Sequence, residues 1–139
     1  MILLDTNVIS ELMKPRPSQA VLDWFAAQGT QRLVLSVITV AELRYGVACL
    51  PQGRRRRALD EAVTGMLDED FEGAILPFDL AAAEAYGMMA AQARQAGRTP
   101  GQSDLMIAAT ALVHAASVAT RNLRDFDGAG IDLYNPFED

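Results

Sequence analysis

Four acidic residues stand where a chain could gather them for chemistry: Asp5, Glu42, Asp104 and Asp125. Asp5 follows the apolar run Ile2-Leu3-Leu4, with Thr6 and Asn7 next to it. Glu42 falls early in a helical stretch after Leu33-Val34-Leu35-Ser36. Asp104 opens a helical stretch after the turn Thr99-Pro100-Gly101. Asp125 comes shortly after Ser117-Val118-Ala119, in company with Thr120, Arg121 and Asn122. Carboxylates brought within a few ångströms of one another repel and raise one another's pKa. A divalent cation relieves that cost, and all-oxygen ligands without histidine suit Mg²⁺ or Mn²⁺. The natural chemistry of such a cluster is metal-assisted hydrolysis of a phosphodiester. Each acid also has a plain structural role open to it. Asp5 could cap the first helix. Glu42 stands three residues after Thr39, the spacing of a capping box. Asp104 suits the positive end of a helix dipole, and Asp125 could cap a turn.

The elements that must position these side chains read as alternating strands and helices. Strands are expected at residues 2–4, 33–36, 74–78, 117–120 and 132–134. Helical spacing covers residues 7–13, broken by Pro15 and Pro17. A second helix, capped by Ser18, runs through Trp24 and Phe25 to near Gly29. A third carries Val40, Leu43 and Val47 to near Pro51. After Gly53, an Arg-rich helix extends to about Leu67. The longest covers residues 80–96 and closes at Gly97, and Ser103 is the expected cap of a helix from Asp104 to about Ala115. This alternation predicts an α/β domain with a mostly parallel sheet between helical layers, and the carboxyl ends of such strands are where ligands bind. No linker or repeat interrupts the chain, so residues 1–139 read as one domain.

Composition narrows the function. The chain has 139 residues, 50% of them apolar, which suffices for a core. Twelve basic against 18 acidic side chains give a net charge of −6, which excludes nucleic-acid binding by bulk positive charge. One cysteine, Cys49, permits no internal disulfide, and with His114 as the one histidine a structural zinc site is nearly excluded. No apolar run reaches the roughly 18 residues of a membrane span, and the first residues lack the features of a signal peptide. The expected setting is cytoplasmic.

Four segments, in order, resemble the motifs of PIN-domain ribonucleases. They are Ile2-Leu3-Leu4-Asp5-Thr6-Asn7, Ser36-Val37-Ile38-Thr39-Val40-Ala41-Glu42-Leu43, Asp104-Leu105-Met106-Ile107-Ala108-Ala109-Thr110-Ala111 and Thr120-Arg121-Asn122-Leu123-Arg124-Asp125-Phe126. Their order and spacing resemble the compact VapC/FitB-type toxins of type II toxin–antitoxin pairs over essentially the whole chain. The resemblance implies a three-layer PIN-like fold and a Mg²⁺- or Mn²⁺-dependent endoribonuclease with one or two ions. It implies a homodimer and a cognate antitoxin that blocks the acidic pocket. Asp5 and Asp104 would hold the main ion, with Glu42 as a direct or water-mediated ligand and Asp125 at a second site. The fourth motif departs from the pattern of some relatives, with Asn122 where they carry Asp. Thr6, Thr120 and Asn122 are candidate supporting groups, the threonines as contacts to water or phosphate.

Arg54, Arg55, Arg56 and Arg57 form a basic run that reads either as a solvated helix face or as RNA phosphate contacts. His114 reads as a helix-end residue, and Met66, Met88, Met89 and Met106 as packing. Trp24, Phe25 and Tyr86 read as core or as part of a subunit interface. Phosphatases of the HAD type and receiver domains also gather acids at strand ends. Both need a lysine near the phosphate, and Lys14, the one lysine, follows the first helix in a Pro-flanked segment. The rival function is a non-catalytic PIN-like module that binds RNA or a protein partner without cleaving.

Overall fold

In a computed structural model, which describes residues 1–138, five short strands form one sheet. They are β1 (Ile2–Leu4), β2 (Leu33–Ser36), β3 (Ile75–Leu76), β4 (Ser117–Ala119) and β5 (Leu133–Tyr134). The order across the sheet is β3-β2-β1-β4-β5, and every pairing is parallel. The helices are α1 (Thr6–Leu12), α2 (Gln19–Ala26), α3 (Val37–Ala48), α4 (Arg54–Gly65), α5 (Leu80–Gln95), α6 (Gln102–Val113) and α7 (Leu123–Phe126). A π-helical turn, Met66–Asp70, extends α4 and carries part of the acidic stretch at residues 68–72.

Side-chain alternation along the strands divides the interior in two. Leu3, Val34 and Val118 face one way and pack with Met89 of α5, Leu105 and Ile107 of α6 and Phe126 of α7. Ile2, Leu4, Leu35 and Ala119 face the other way and pack with Ile9 of α1, Leu43 and Val47 of α3 and Val63 of α4. Both faces of the sheet are covered, as a parallel sheet requires. This is why its strands are near-continuous apolar runs. The three-layer α/β architecture follows.

Several local expectations are corrected. Pro77 has no N–H for the ladder, and β3 stops before it at two residues. The cap position of α6 is Gly101, not Ser103, which lies inside the first turn. Ser36 caps α3 by accepting from the Ile38 N–H at 3.0 Å, so Thr39 and Glu42 do not form a capping box. Ser18 occupies the cap position of α2 without a side-chain cap bond; its own N–H donates to Glu11 instead. Met88 is 67% exposed and is no packing residue, whereas Met89 is buried. Helix α7, too short to show a period, was not expected.

The sheet order fixes where chemistry can occur. The chain leaves β1 toward β2 and later returns to lay β4 on the other side of β1. The carboxyl ends of β1 and β4 therefore flank a switch point, where the connections diverge and open a crevice.

Candidate active site

Asp5 is the first residue past β1, and it is only 2% exposed. Its backbone N–H continues the sheet by donating to the Ala119 carbonyl at 2.9 Å. The side chain caps α1 by accepting from the Thr6 N–H at 2.8 Å. The other carboxylate oxygen accepts from the Thr120 hydroxyl at 2.8 Å and from the Asn7 amide at 3.2 Å. Three of about four lone-pair directions are thus engaged. The capping role and a place in the acid cluster are held by the same carboxylate. Burial pushes the Asp5 carboxyl above the usual range, against the hydrogen bonds from Thr120 and Thr6, and the charges of Glu42 and Asp125 add to the rise.

Glu42 reaches the same place from α3. Its carboxylate accepts from the Thr6 hydroxyl at 2.7 Å. Because that proton is committed, the Thr39 hydroxyl, 3.0 Å from the Thr6 oxygen, is the donor of the next bond. A relay from Thr39 through Thr6 to Glu42 thus ties α3 to α1.

Asp104 lies in the first turn of α6 and is half-buried. Its pKa is pushed up to about 7, first by burial, then by the charge of Asp5, by a hydrogen bond with Asp125 and by the charges of Asp125 and Glu42. Helix α7 presents Asp125 by burying Phe126 at 1% exposure in the core below it.

A cleft of about 400 Å³ opens over this edge. Asp5, Thr6, Glu42, Asp104 and Asn122 line it, with Asn7, Ser10, Glu11, Lys14 and Arg121 around them. Asp125 stands behind Asp104 and lines a neighbouring hollow instead. Thr120 is fully buried, so its hydroxyl serves Asp5 and the Asn122 N–H and is closed to phosphate. Asn122 is exposed on the cleft. Arg56 and Arg57 line a separate groove with Arg44 and Asp60, so the basic run is not gathered with the acids. Asn7 and Arg121, which follow their strands in sequence, belong to the cleft, and so does Lys14, which carries no sequence signal of it. They meet only because β1 and β4 are neighbours.

As placed, no three acidic, histidine or cysteine side chains among the described residues enclose an ion by themselves. The acids line a cleft rather than form a closed cage. That suits Mg²⁺, which keeps several waters and takes one or two carboxylates from a protein. The donor set is all oxygen; His114 is occupied with the Thr110 carbonyl of its own helix.

Fold and site together define the class: the chain belongs to the PIN-domain family, whose profile matches residues 2–130. Within it, the chain is 49% identical over 138 residues to the VapC ribonuclease Y4jK of Sinorhizobium fredii, covering 99% of each. It is 42% identical to toxin FitB of Neisseria gonorrhoeae over the full length of both. Among solved structures, the FitAB complex bound to a DNA fragment contains a chain that superposes with a TM-score of 0.91 at 40% identity, covering 99% of this chain and 96% of that one.

Proposed function

We propose that this chain is the ribonuclease toxin of a type II toxin–antitoxin pair, acting in the cytoplasm as one domain over residues 1–139. It hydrolyses RNA phosphodiester bonds with Mg²⁺ or Mn²⁺. The observation that carries this reading is the edge itself. A nearly inaccessible Asp5, held by three donors, is surrounded by Glu42, Asp104 and Asp125 at the switch point of the sheet. Gathering four carboxylates opposes folding unless a ligand compensates, and relatives that share the whole chain include a VapC ribonuclease and a FitB toxin.

Asp5 and Asp104 would hold the cation, Glu42 would hold it directly or through water, and Asp125 would serve a second ion. When bound, the cation offsets the gathered negative charge and supplies an acidified water as nucleophile. The chain's own residues do the positioning. Thr120, Asn7 and the Thr6 N–H fix the orientation of Asp5. The Thr39–Thr6 relay holds Glu42, the candidate base, against the cleft. Asn122, exposed on the cleft, would accept from water there.

A cognate antitoxin would neutralise the enzyme by covering the cleft, with a basic side chain competing for its carboxylates. The assembly would be a homodimer, alone or within a larger toxin–antitoxin complex. The test is cleavage of RNA by the purified chain with Mg²⁺, Mn²⁺ or EDTA. Cleavage that stops in EDTA and returns with Mg²⁺ is expected. Binding of RNA without cleavage under any of these conditions would favour the non-catalytic module.

A further inference from the structure

Behind the acid cluster lies a second hollow of about 300 Å³. Arg98, Thr99 and Pro100, from the turn after α5, form one wall, and Arg124 and Asp125 of α7 form the other. Asp125 lines this hollow, and Asp104, its neighbour in the acid cluster, lines the main cleft. The acid pair is therefore the partition between two hollows, and basic side chains stand on both sides of it.

These cations differ in how free they are. Lys14 is bonded to the Glu11 carboxylate at 3.2 Å, so its charge is largely offset. Arg98, Arg121 and Arg124 form no ion pair among the described residues, although Asp125 lines the hollow of Arg98 and Arg124, and Asp5, Glu42 and Asp104 line the cleft with Arg121. The Arg121 guanidinium sits 3.9 Å over the Phe137 ring, an arrangement that steadies it without cancelling its charge. Arg98 is fixed twice. Helix α5 ends in a Schellman motif, with the Gly97 N–H donating to the Arg94 carbonyl and the Arg98 N–H to the Ala93 carbonyl. The Arg98 side chain then donates to the Asp127 carbonyl. Its guanidinium lies against Gly128, 3.1 Å from where a Cβ would stand, at a φ of +74° that itself favours glycine. A guanidinium held by a carbonyl keeps its full charge and its remaining donors.

We propose that Arg98 and Arg124 on one side, and Arg121 on the other, bind the RNA phosphates that flank the one at the acid cluster. A single strand thus crosses the Asp104–Asp125 partition from one hollow to the other. This rests on the ribonuclease reading and adds the path of the substrate to it. It also explains how a chain of net charge −6 can hold a polyanion: the positive charge that matters is confined to two points beside the acids.

The test is binding of a short labelled single-stranded RNA to the full chain carrying Asp5→Asn to suppress cleavage, titrated against salt. Each lost phosphate contact lowers the slope of log affinity against log salt by about 0.7 for a single strand. Arg121→Gln is expected to lower it by about 0.7, and Arg98→Gln with Arg124→Gln by about 1.4. A second measurement leaves these side chains intact. Neutral methylphosphonate linkages on both sides of the cut position should weaken binding by the chain that keeps its arginines, and weaken the triple arginine variant no further. Slopes unchanged in folded variants, or neutral linkages without effect, overturn the proposed path alone. Absence of RNA binding before any arginine is changed overturns both the path and the ribonuclease reading.

Discussion

The Thr120 hydroxyl has no access to solvent, and its proton is spent on a single carboxylate, that of Asp5. Groups that orient a metal-holding carboxylate typically matter by 10- to 100-fold in affinity or activity. Thr120→Val should therefore reduce Mg²⁺-dependent cleavage by about 10- to 100-fold and raise the Mg²⁺ concentration needed for half-maximal rate. Thr120→Ser, which keeps the hydroxyl, should restore most of both. A valine variant with unchanged metal dependence would remove Thr120 from the site. Asp104 makes a prediction of its own. Its carboxyl ionises only near 7 in the folded chain, against 3.8 ordinarily. Between those values the folded state binds more protons than the unfolded state, so stability falls as pH rises through that interval. In a chelator the melting temperature should be lower at about pH 8 than at about pH 5.5, and Mg²⁺ should raise it most at the higher pH. A chelated protein that grows more stable over the same rise would contradict the crowding of charge described here.

Helix α7 shows what an element must do to place one side chain. Four residues give no period to read, yet Phe126 anchors them in the core and Asp125 is carried to Asp104. Phe126→Ala should cost about 3–5 kcal/mol in unfolding free energy. It should also lower cleavage in whatever fraction remains folded, because Asp125 loses its support. Normal activity in a destabilised variant would show that α7 need not be fixed. Strands β1 and β2 could be read from sequence to within a residue or so, because a strand buried on both faces leaves an apolar run; β4 and the edge strand β5, with Tyr134 exposed, were legible as short strand-forming stretches after helices. Strand β3 is shorter than its apolar run, since Pro77 withdraws a donor. Caps were harder to read: at α3 Ser36 forms the cap in place of Thr39, and at α6 Gly101 takes the cap position although Ser103 is the better cap type. The acids could be singled out because each follows a strand or opens a helix. Lys14 and Arg98 could not, because only the folded order of strands and helices brings them beside those acids.

At the scale of the whole molecule, the charge balance and the sheet order act together. With 18 acids against 12 bases, the surface at large repels RNA. The order β3-β2-β1-β4-β5 concentrates the exception at one edge, where the carboxyl ends of β1 and β4 meet. No helix among the described residues is long and apolar enough to cross a membrane. The central claim is that this edge is a metal-dependent ribonuclease site built around Asp5. The most direct test is RNA cleavage by Asp5→Asn beside the unaltered chain, in Mg²⁺ and in EDTA, with matching circular dichroism. The loss should exceed about 100-fold, since a group that touches the ion should matter more than those that orient it. A folded Asp5→Asn chain that cuts RNA in Mg²⁺ at the rate of the unaltered chain would contradict the account.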